Sequence, residues 1–525
     1  MGAEKDFGSA SMTAGRINVE AEEITSEEMA AIDENCEFYG LSRLQLMENA
    51  GAAVANEVQA AAANNVRRGG DGKPRIIVFA GRGNNGGDGF VAARHLARDF
   101  DVRVFLLGHA SEIRTEEARR NWEVLQRSGC ILRELRDSSE LRLLEDEVSG
   151  AAAIIDAIFG TGIRGEIREP EATAIDVMNR ARDRGIPVVS VDVPSGLDPD
   201  TGAAAGKCVR ASTTVTFHKP KPGLRRAAAF VGALKVASIG IPPEVERLAG
   251  PGDLKLLRRR RADSHKGDNG RVLIIGGGPF SGAPTLAALA ALRAGADWVT
   301  IATPKSVSKT IASFSPNLIV KELSSDVFVE DDVPTVLELA GRHDVTVVGM
   351  GLGDDIATKN ALRALFKSLE GKIVVDADGF YGLELPARDA QKFVITPHAG
   401  EFSKIPGVVE KPPTDINERV EFVREFSSEN KVVTLMKGST DVISDGKRVK
   451  LNTTGNAGMT VGGTGDVLAG VVGAFYAVNE PFRAAVAAAF VSGVAGDLAF
   501  ENKGFGLLAT DIIENIPKVL LRFGR

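Results

Sequence analysis

The sequence predicts an α/β protein of two domains, each a three-layer sandwich in which helices cover both faces of a largely parallel sheet. Length is the first reason: 525 residues exceed what one core organises, since domains run to about 100–200 residues. Alternation is the second, because short apolar runs trade places with longer helical patterns along most of the chain, and that order builds covered parallel sheets. A break is the third. Residues 240–270 interrupt the pattern with Pro242, Pro243, Pro251 and four consecutive arginines, 258–261, as a joint between domains does. No repeat of fixed period relates the halves, so they read as different domains.

The elements follow in order. Thr25-Ser-Glu-Glu28 offers a capped helix start, and residues 41–63 form an alanine-rich helix. Arg75-Ile-Ile-Val-Phe-Ala80 is a strand that runs into a glycine loop, with helical periodicity resuming over 90–100. Further strands are expected at 102–107, 153–157 and 187–193, with helices at 116–128 and 169–184 and two edge strands at 213–217 and 233–239. The second series has strands at 271–275, 298–302, 345–348, 373–376, 393–395 and 432–435, with helices at 285–294, 358–369 and 417–428. It ends in a mostly helical segment after Asp466.

Composition narrows the function classes. Apolar residues make up 44% and charged residues 25% of the chain, an ordinary globular balance. The net charge of −7 supplies no field for nucleic acid, and the arginine run reads as a solvated linker face. Cys36, Cys130 and Cys208 lie far apart without metal-ligand spacing, so reduced thiols and a cytoplasmic location are expected. Residues 1–22 are expected to be a disordered tail, and no apolar signal core precedes residue 16. The most apolar stretch, 484–499, contains Ser492, Gly493, Gly496 and Asp497 and reads as a buried helix, with no membrane partner. Helix 44–63 offers a surface through which copies of the chain are expected to pair.

Two glycine-rich loops of different design carry the chemistry. Gly83-Asn-Asn-Gly-Gly-Asp-Gly89 matches neither the dinucleotide fingerprint nor the P-loop. Its asparagines and Asp88, at a strand's C-terminal end, suit a sugar, a phosphate or a hard cation held through oxygen, while a plain turn would also use glycine and asparagine. Asp156-Ala-Ile-Phe-Gly-Thr-Gly162 and Val191-Asp-Val-Pro-Ser-Gly196 favour a site, because in an open α/β sheet such strand ends meet in one crevice. The second loop, Gly455 to Asp466, ends in Gly462-Gly-Thr-Gly-Asp466 before a helix. Backbone N–H groups there form an anion hole, and Asp466 is placed to take a proton from an attacking hydroxyl.

On these motifs, together with Leu46-Met-Glu-Asn-Ala-Gly51, residues 23–241 resemble the NAD(P)H-hydrate epimerase family, a Rossmann-like three-layer sandwich. The resemblance implies that Asn84, Asn85, Gly86, Gly87 and Asp88, with Gly160, Thr161, Gly162, Ile163, Arg164, Gly165 and Glu166, contact the damaged cofactor. It also implies K+ on Asn85, Asp156 and Ser195, and Asp192 beside the nicotinamide as the acid/base that interconverts the R and S hydrates of NADH and NADPH (NADHX and NADPHX). Residues 242–263 are the expected linker.

The back half, 264–525, carries Gly-Gly-Thr-Gly-Asp466 with Ser264-His-Lys-Gly267, Gly276-Gly-Gly-Pro-Phe-Ser-Gly-Ala-Pro284, Gly349-Met-Gly-Leu-Gly353, Asp376-Ala-Asp378 and Thr396-Pro-His-Ala-Gly-Glu401. It resembles the ADP- or ATP-dependent NAD(P)H-hydrate dehydratases, a ribokinase-like three-layer sandwich. By that resemblance Ala283, Gly353, Thr396, Pro397, His398, Ala399, Gly400, Glu401 and Phe402 line the hydrate site, with Asp466 at the substrate hydroxyl. Lys437, Gly438, Ser439, Thr440 and Asp441, with Asn456, Ala457, Gly458, Met459, Thr460, Val461, Gly462, Gly463, Thr464 and Gly465, hold the nucleotide. Mg2+ is the implied cofactor and ADP or ATP the implied donor, the sequence leaving that choice open along with the roles of Asp376 and Asp378. The chain departs from the commoner family wording at Asp378-Gly-Phe-Tyr381 and at Ala399. The alternative is a small-molecule kinase, acting on a thiazole or pyrimidine alcohol, joined to a nucleotide-binding module.

Overall fold

The computed structural model describes residues 23–63, 65, 72–162, 165–204 and 206–524. The expected tail, 1–22, lies outside the described residues. The chain divides into two compact units. Among the described residues, one holds 23–29 with Ser42–Ile241, and the other holds Ala30–Leu41 with 242–524.

The first unit is built on seven parallel strands: β1 (Arg75–Ala80), β2 (Asp101–Leu107), β3 (Ile131–Leu135), β4 (Ala153–Ala157), β5 (Val188–Val191), β6 (Thr213–Phe217) and β7 (Ala233–Ala237). They lie in the order β3-β2-β1-β4-β5-β6-β7. The chain leaves β1 in one direction and returns to β4 on its other side, which opens a crevice at the C-terminal ends of these two neighbours. The parallel register sets Asp156 beside Phe79 on one side and Ser190 on the other. Ile76, Ile77, Val78 and Phe79 are fully buried, as strands covered on both faces require.

Two boundaries differ from expectation, both at the crevice. Helix begins at Asn84 and runs to Leu96, so the glycine motif is its first turns and not a loop that precedes it. The glycines allow the fit: a Cβ on Gly86 would lie 2.0 Å from the Gly81 carbonyl oxygen, and one on Gly81 would lie 2.1 Å from that of Ile158. Strand β5 stops at Val191 because Asp192 takes the left-handed conformation, φ 61°, which few non-glycine residues adopt.

The second unit has nine strands: β8 (Arg271–Ile275), β9 (Trp298–Thr303), β10 (Ile319–Glu322), β11 (Val345–Val348), β12 (Gly371–Val375), β13 (Gln391–Ile395), β14 (Val433–Met436), β15 (Asp441–Ser444) and β16 (Val449–Asn452). Their order is β10-β9-β8-β11-β12-β13-β14-β15-β16. All pair in parallel except β15 and β16, which form an antiparallel edge. Helices Gly282–Arg293, Thr464–Val478 and Pro481–Lys503 pack on one face. Gly470 permits the closest of these contacts, since a Cβ there would lie 2.1 Å from the Ala287 carbonyl oxygen. Helix Pro481–Lys503 is long and apolar enough to cross a membrane by length and composition, yet most of that apolar stretch is buried within the unit, as the polar interruptions predict.

Residues expected as linker carry two short helices, Pro243–Arg247 and Pro251–Lys255, and belong to the second unit. Ala30–Leu41 joins them there. Asn35, 1% exposed, donates to the Asp253 carboxylate at 2.9 Å and accepts from Gly252 N at 2.7 Å. Tyr39 donates to the Ala249 carbonyl, and the Phe38 ring meets Phe490 and Phe523 edge-on. A segment flanked in sequence by residues of the first unit is thereby packed into the second.

Candidate active sites

In the first unit, Asp156 is the penultimate residue of β4 and has no exposure. Its carboxylate accepts from Ser190 Oγ at 2.7 Å, Ser195 N at 2.8 Å and Ser195 Oγ at 2.5 Å. Burial raises its pKa, opposed by those donors, and among the described residues no basic side chain pairs with it. A desolvated carboxylate held only by neutral donors invites a cation. Asn85 is buried in the crevice wall, its side chain 3.1 Å from where a Gly160 Cβ would stand, with its Nδ2 lacking a partner among the described residues.

Asp192 forms a second cluster. Its Oδ1 accepts from Lys221 Nζ at 2.6 Å, Thr216 Oγ1 at 3.0 Å and Phe217 N at 3.4 Å. Lys221 is fully buried and also donates to Thr216 Oγ1 and the Phe217 carbonyl. This lysine was missing from the sequence reading, although Lys219-Pro-Lys-Pro-Gly223 after β6 was a visible turn signal. The structure joins Asp156 to Ser195 and Asn85 to Gly160, while no hydrogen bond among the described residues links Asp156 to Asp192. Asn84, Gly162, Gly165 and Glu166 are exposed and Thr161 half-buried. Ile163 and Arg164 lie outside the described residues.

In the second unit, three strand ends converge. Lys437 follows β14 and donates to Asp376, after β12, at 2.8 Å, and it pairs with Glu401 at 3.3 Å. Burial lowers the Lys437 pKa, but the two carboxylates outweigh it and the net shift is upward. The anion loop sits over this cluster: a Cβ on Gly465 would lie 3.3 Å from Lys437 Nζ. Gly463, at φ 95°, turns the chain into helix Thr464–Val478, which puts Asp466 in the first turn. Burial, then repulsion from Asp376, pushes the Asp466 pKa up to about 7, with Lys437 opposing and Asp378 and Glu401 adding. A carboxylate poised there accepts a proton at neutral pH far better than an ordinary aspartate.

Around this centre the expected hydrate residues take distinct parts. Gly353 N donates to Asp378 at 2.9 Å, and Asp378 also pairs with Lys404 at 3.3 Å. Thr396 is buried, and the Pro397 carbonyl accepts from Lys437 N. His398 is exposed, its ring accepting from Gly400 N, while its backbone N–H donates to Glu401. Ala399 and Gly400 are exposed, and Ala283 is half-buried. Phe402 is fully buried against Phe422 and Phe426, so its ring belongs to the core.

The nucleotide segments are also braced. Asp441 accepts from Gly438 N and Asn452 Nδ2, and burial pushes its pKa up to about 6. Ser439 and Thr440 lie between Gly438 and this anchor. Asn456 donates to Asp497 at 2.9 Å and Gly455 N donates to the same carboxylate at 3.0 Å. Asp497 was not foreseen as a support, since the sequence presents it only as a polar break in an apolar helix. Thr464 Oγ1 closes the loop onto the Met459 carbonyl at 2.9 Å.

Known proteins show the same division. Residues 43–223 match the family described as YjeF-related protein N-terminus, and residues 272–518 match NAD(P)H-hydrate dehydratase. The bifunctional NAD(P)H-hydrate repair enzyme Nnr of Archaeoglobus fulgidus is 46% identical over 95% of this chain and 98% of its own. The chain belongs to the bifunctional NAD(P)H-hydrate repair enzyme family. The Nnr of Pyrobaculum aerophilum is 48% identical over 96% of this chain and 99% of its own. A solved structure of an ADP/ATP-dependent NAD(P)H-hydrate dehydratase from Bacillus subtilis, co-crystallised with ATP and Mg2+, is 26% identical over 53% of this chain and 98% of its own, with a TM-score of 0.45. Both sites of this NAD(P)H-hydrate repair family member thus fall inside matched segments, and both lie at C-terminal strand ends.

Proposed function

We propose that the chain repairs hydrated NADH and NADPH in two steps, the first unit interconverting the R and S hydrates and the second dehydrating the S hydrate at the expense of ADP or ATP. Relatives that match across nearly the whole length bear the same two-part name, which disfavours the separate small-molecule kinase. The observation that carries the chemistry is Asp466, at the start of a helix behind a glycine loop, with its pKa raised to about 7. In this reading its carboxylate takes the proton from the substrate hydroxyl while that oxygen attacks the donor's terminal phosphorus. The P–O bond to the leaving nucleotide breaks as the new one forms. Inorganic phosphate then departs with the C–O bond, the ring gives up the neighbouring proton, and the double bond of the dihydronicotinamide returns. Backbone N–H groups at Gly463–Asp466 neutralise the moving charge.

In the first unit Asp192 is the acid/base, and Lys221, bonded to one of its oxygens, fixes its direction. K+ fits the buried Asp156 with Ser195 and Asn85: among the described residues the carboxylate has neutral donors only, and a monovalent ion would supply positive charge through oxygen ligands. When bound there, the ion would be held by Asp156, Ser195 and Asn85 and would supply charge compensation to the crevice wall. Mg2+ has no cage of protein ligands here. Among the described residues no group of three His, Cys, Asp or Glu could hold a metal, and Asp376 is taken by Lys437. Donor phosphates and water would carry the ion.

Purified chain incubated with S-NADHX and ADP or ATP is expected to release NADH, inorganic phosphate and the nucleotide shortened by one phosphate. Accumulation of a stable phosphorylated alcohol, with no NADH formed, would overturn the dehydratase reading.

A further inference from the structure

Helix Pro481–Lys503 ends at Gly504, and the turn Gly504–Gly506 that follows presents Phe505 to solvent at 79% exposure. Its neighbours behave otherwise. Leu507 is 1% exposed, and Phe500 packs against the hydrophobic core. Both press on the loop Asn456–Gly465: a Cβ on Gly458 would lie 2.7 Å from Phe500 Cδ2 and 2.8 Å from Leu507 Cδ2. The Phe505 ring is held edge-on to Phe500, 5.2 Å between centroids and 84° between planes. An aromatic ring is therefore exposed to solvent and set edge-on against a residue that supports the loop. The same helix braces that loop through Asp497, which bonds Gly455 N and Asn456 Nδ2.

We infer that Phe505 is the wall on which the purine of the phosphoryl donor stacks. This rests on the reading of Asn456–Gly465 as the nucleotide loop. A nucleotide whose phosphates lie at the helix start near Gly463 must put its base to one side of that loop. The residues flanking Gly463 are Leu286 and Ala509, whose atoms would lie 2.6 and 3.2 Å from a Cβ there. Ala509 begins the helix that follows the Phe505 turn, so a short stretch of chain joins the exposed ring to the residues beside Gly463. A flat, apolar, exposed ring suits a purine because stacking buries π-faces that are otherwise in water. It contributes nothing to a donor that lacks a base.

Two full-length variants test this. Phe505→Trp places an indole at the site, and its fluorescence is expected to be quenched saturably by ADP or ATP but not by inorganic tripolyphosphate. Phe505→Ala is expected to raise KM for the adenine nucleotide about tenfold, while competition by tripolyphosphate is unaltered. An unchanged nucleotide KM in Phe505→Ala, or no purine-dependent quenching in Phe505→Trp, overturns the stacking role. Absence of saturable binding of ADP or ATP to the unsubstituted chain overturns the nucleotide loop itself, so the two failures are distinguishable.

Discussion

At the residue scale, the two aspartates differ in what surrounds them, and the difference is measurable. Asp466 is pushed up to about 7 chiefly by burial and by Asp376, and it works as a base only when ionised. Dehydration measured as kcat/KM is therefore expected to rise with pH through about 7 and to level off above it; a profile flat from pH 5 to 8 would count against Asp466 as the base. Asp466→Asn is expected to lower the dehydration rate by at least about a hundredfold, the lower range for a lost acid/base group. Asp192→Asn is expected to abolish catalysed epimerisation, read by following the R and S hydrates separately. Lys221→Met should weaken the same step through loss of the bond that orients Asp192, and it leaves that carboxylate buried without its cation. Both aspartates were legible in the sequence, Asp192 because it follows an apolar run and precedes Val-Pro-Ser-Gly196, and Asp466 because it closes a glycine loop just before an apolar helix. Lys221 was not, because only the folded neighbourhood explains a fully buried lysine.

Among the elements, the central strands and the edge strand β7 were readable, while β3, β10 and the β15–β16 edge were not. Runs such as Arg75–Ala80 and Arg271–Ile275 are buried on both faces and carry an uninterrupted apolar signal. Strands β3 and β10 are largely exposed, so their polar residues mask the period. The edge hairpin of β15 and β16 turns at Asp445-Gly446, a hairpin signal in the sequence that the reading passed over beside the longer helical patterns. Helices Lys305–Phe314 and Val333–Ala340 were missed with them. The glycine motif at 83–89 was located but given the wrong local form, since its helical start depends on close approach to Gly81 and not on propensity. Close approach also governs helix Thr464–Val478. Gly470→Ala would drive a methyl group into the Ala287 carbonyl, and it is expected to cost about 1–3 kcal/mol and to lower dehydration by displacing the helix that carries Asp466. Calorimetry with parallel assays of both reactions checks this; an unchanged second-unit transition would contradict it.

Over the whole molecule, the sequence joint near residue 241 and the structural division are not the same line. Ala30–Leu41 belongs to the second unit, held by Asn35, Tyr39 and Phe38, so the chain passes from the first unit into the second, goes back to build the first, and then enters the second again. Sequence order hid this, because a helix of 13 residues at Ser26–Phe38 carries no mark of the unit it packs in. Asn35→Ala would leave Gly252 N and part of Asp253 unsatisfied in a buried site, at an expected cost of about 2 kcal/mol. The second unit's melting transition should fall, and a variant that melts like the unsubstituted chain would deny the segment a structural part.

The measurement that bears most directly on two successive steps on one substrate uses an equal mixture of R and S NADHX with a donor and three forms of the chain. The unsubstituted protein should convert all of the mixture to NADH, Asp192→Asn should stop near half apart from slow spontaneous epimerisation, and Asp466→Asn should form essentially none. Full, rapid conversion by Asp192→Asn, or NADH formation by Asp466→Asn at the unsubstituted rate, would contradict the account.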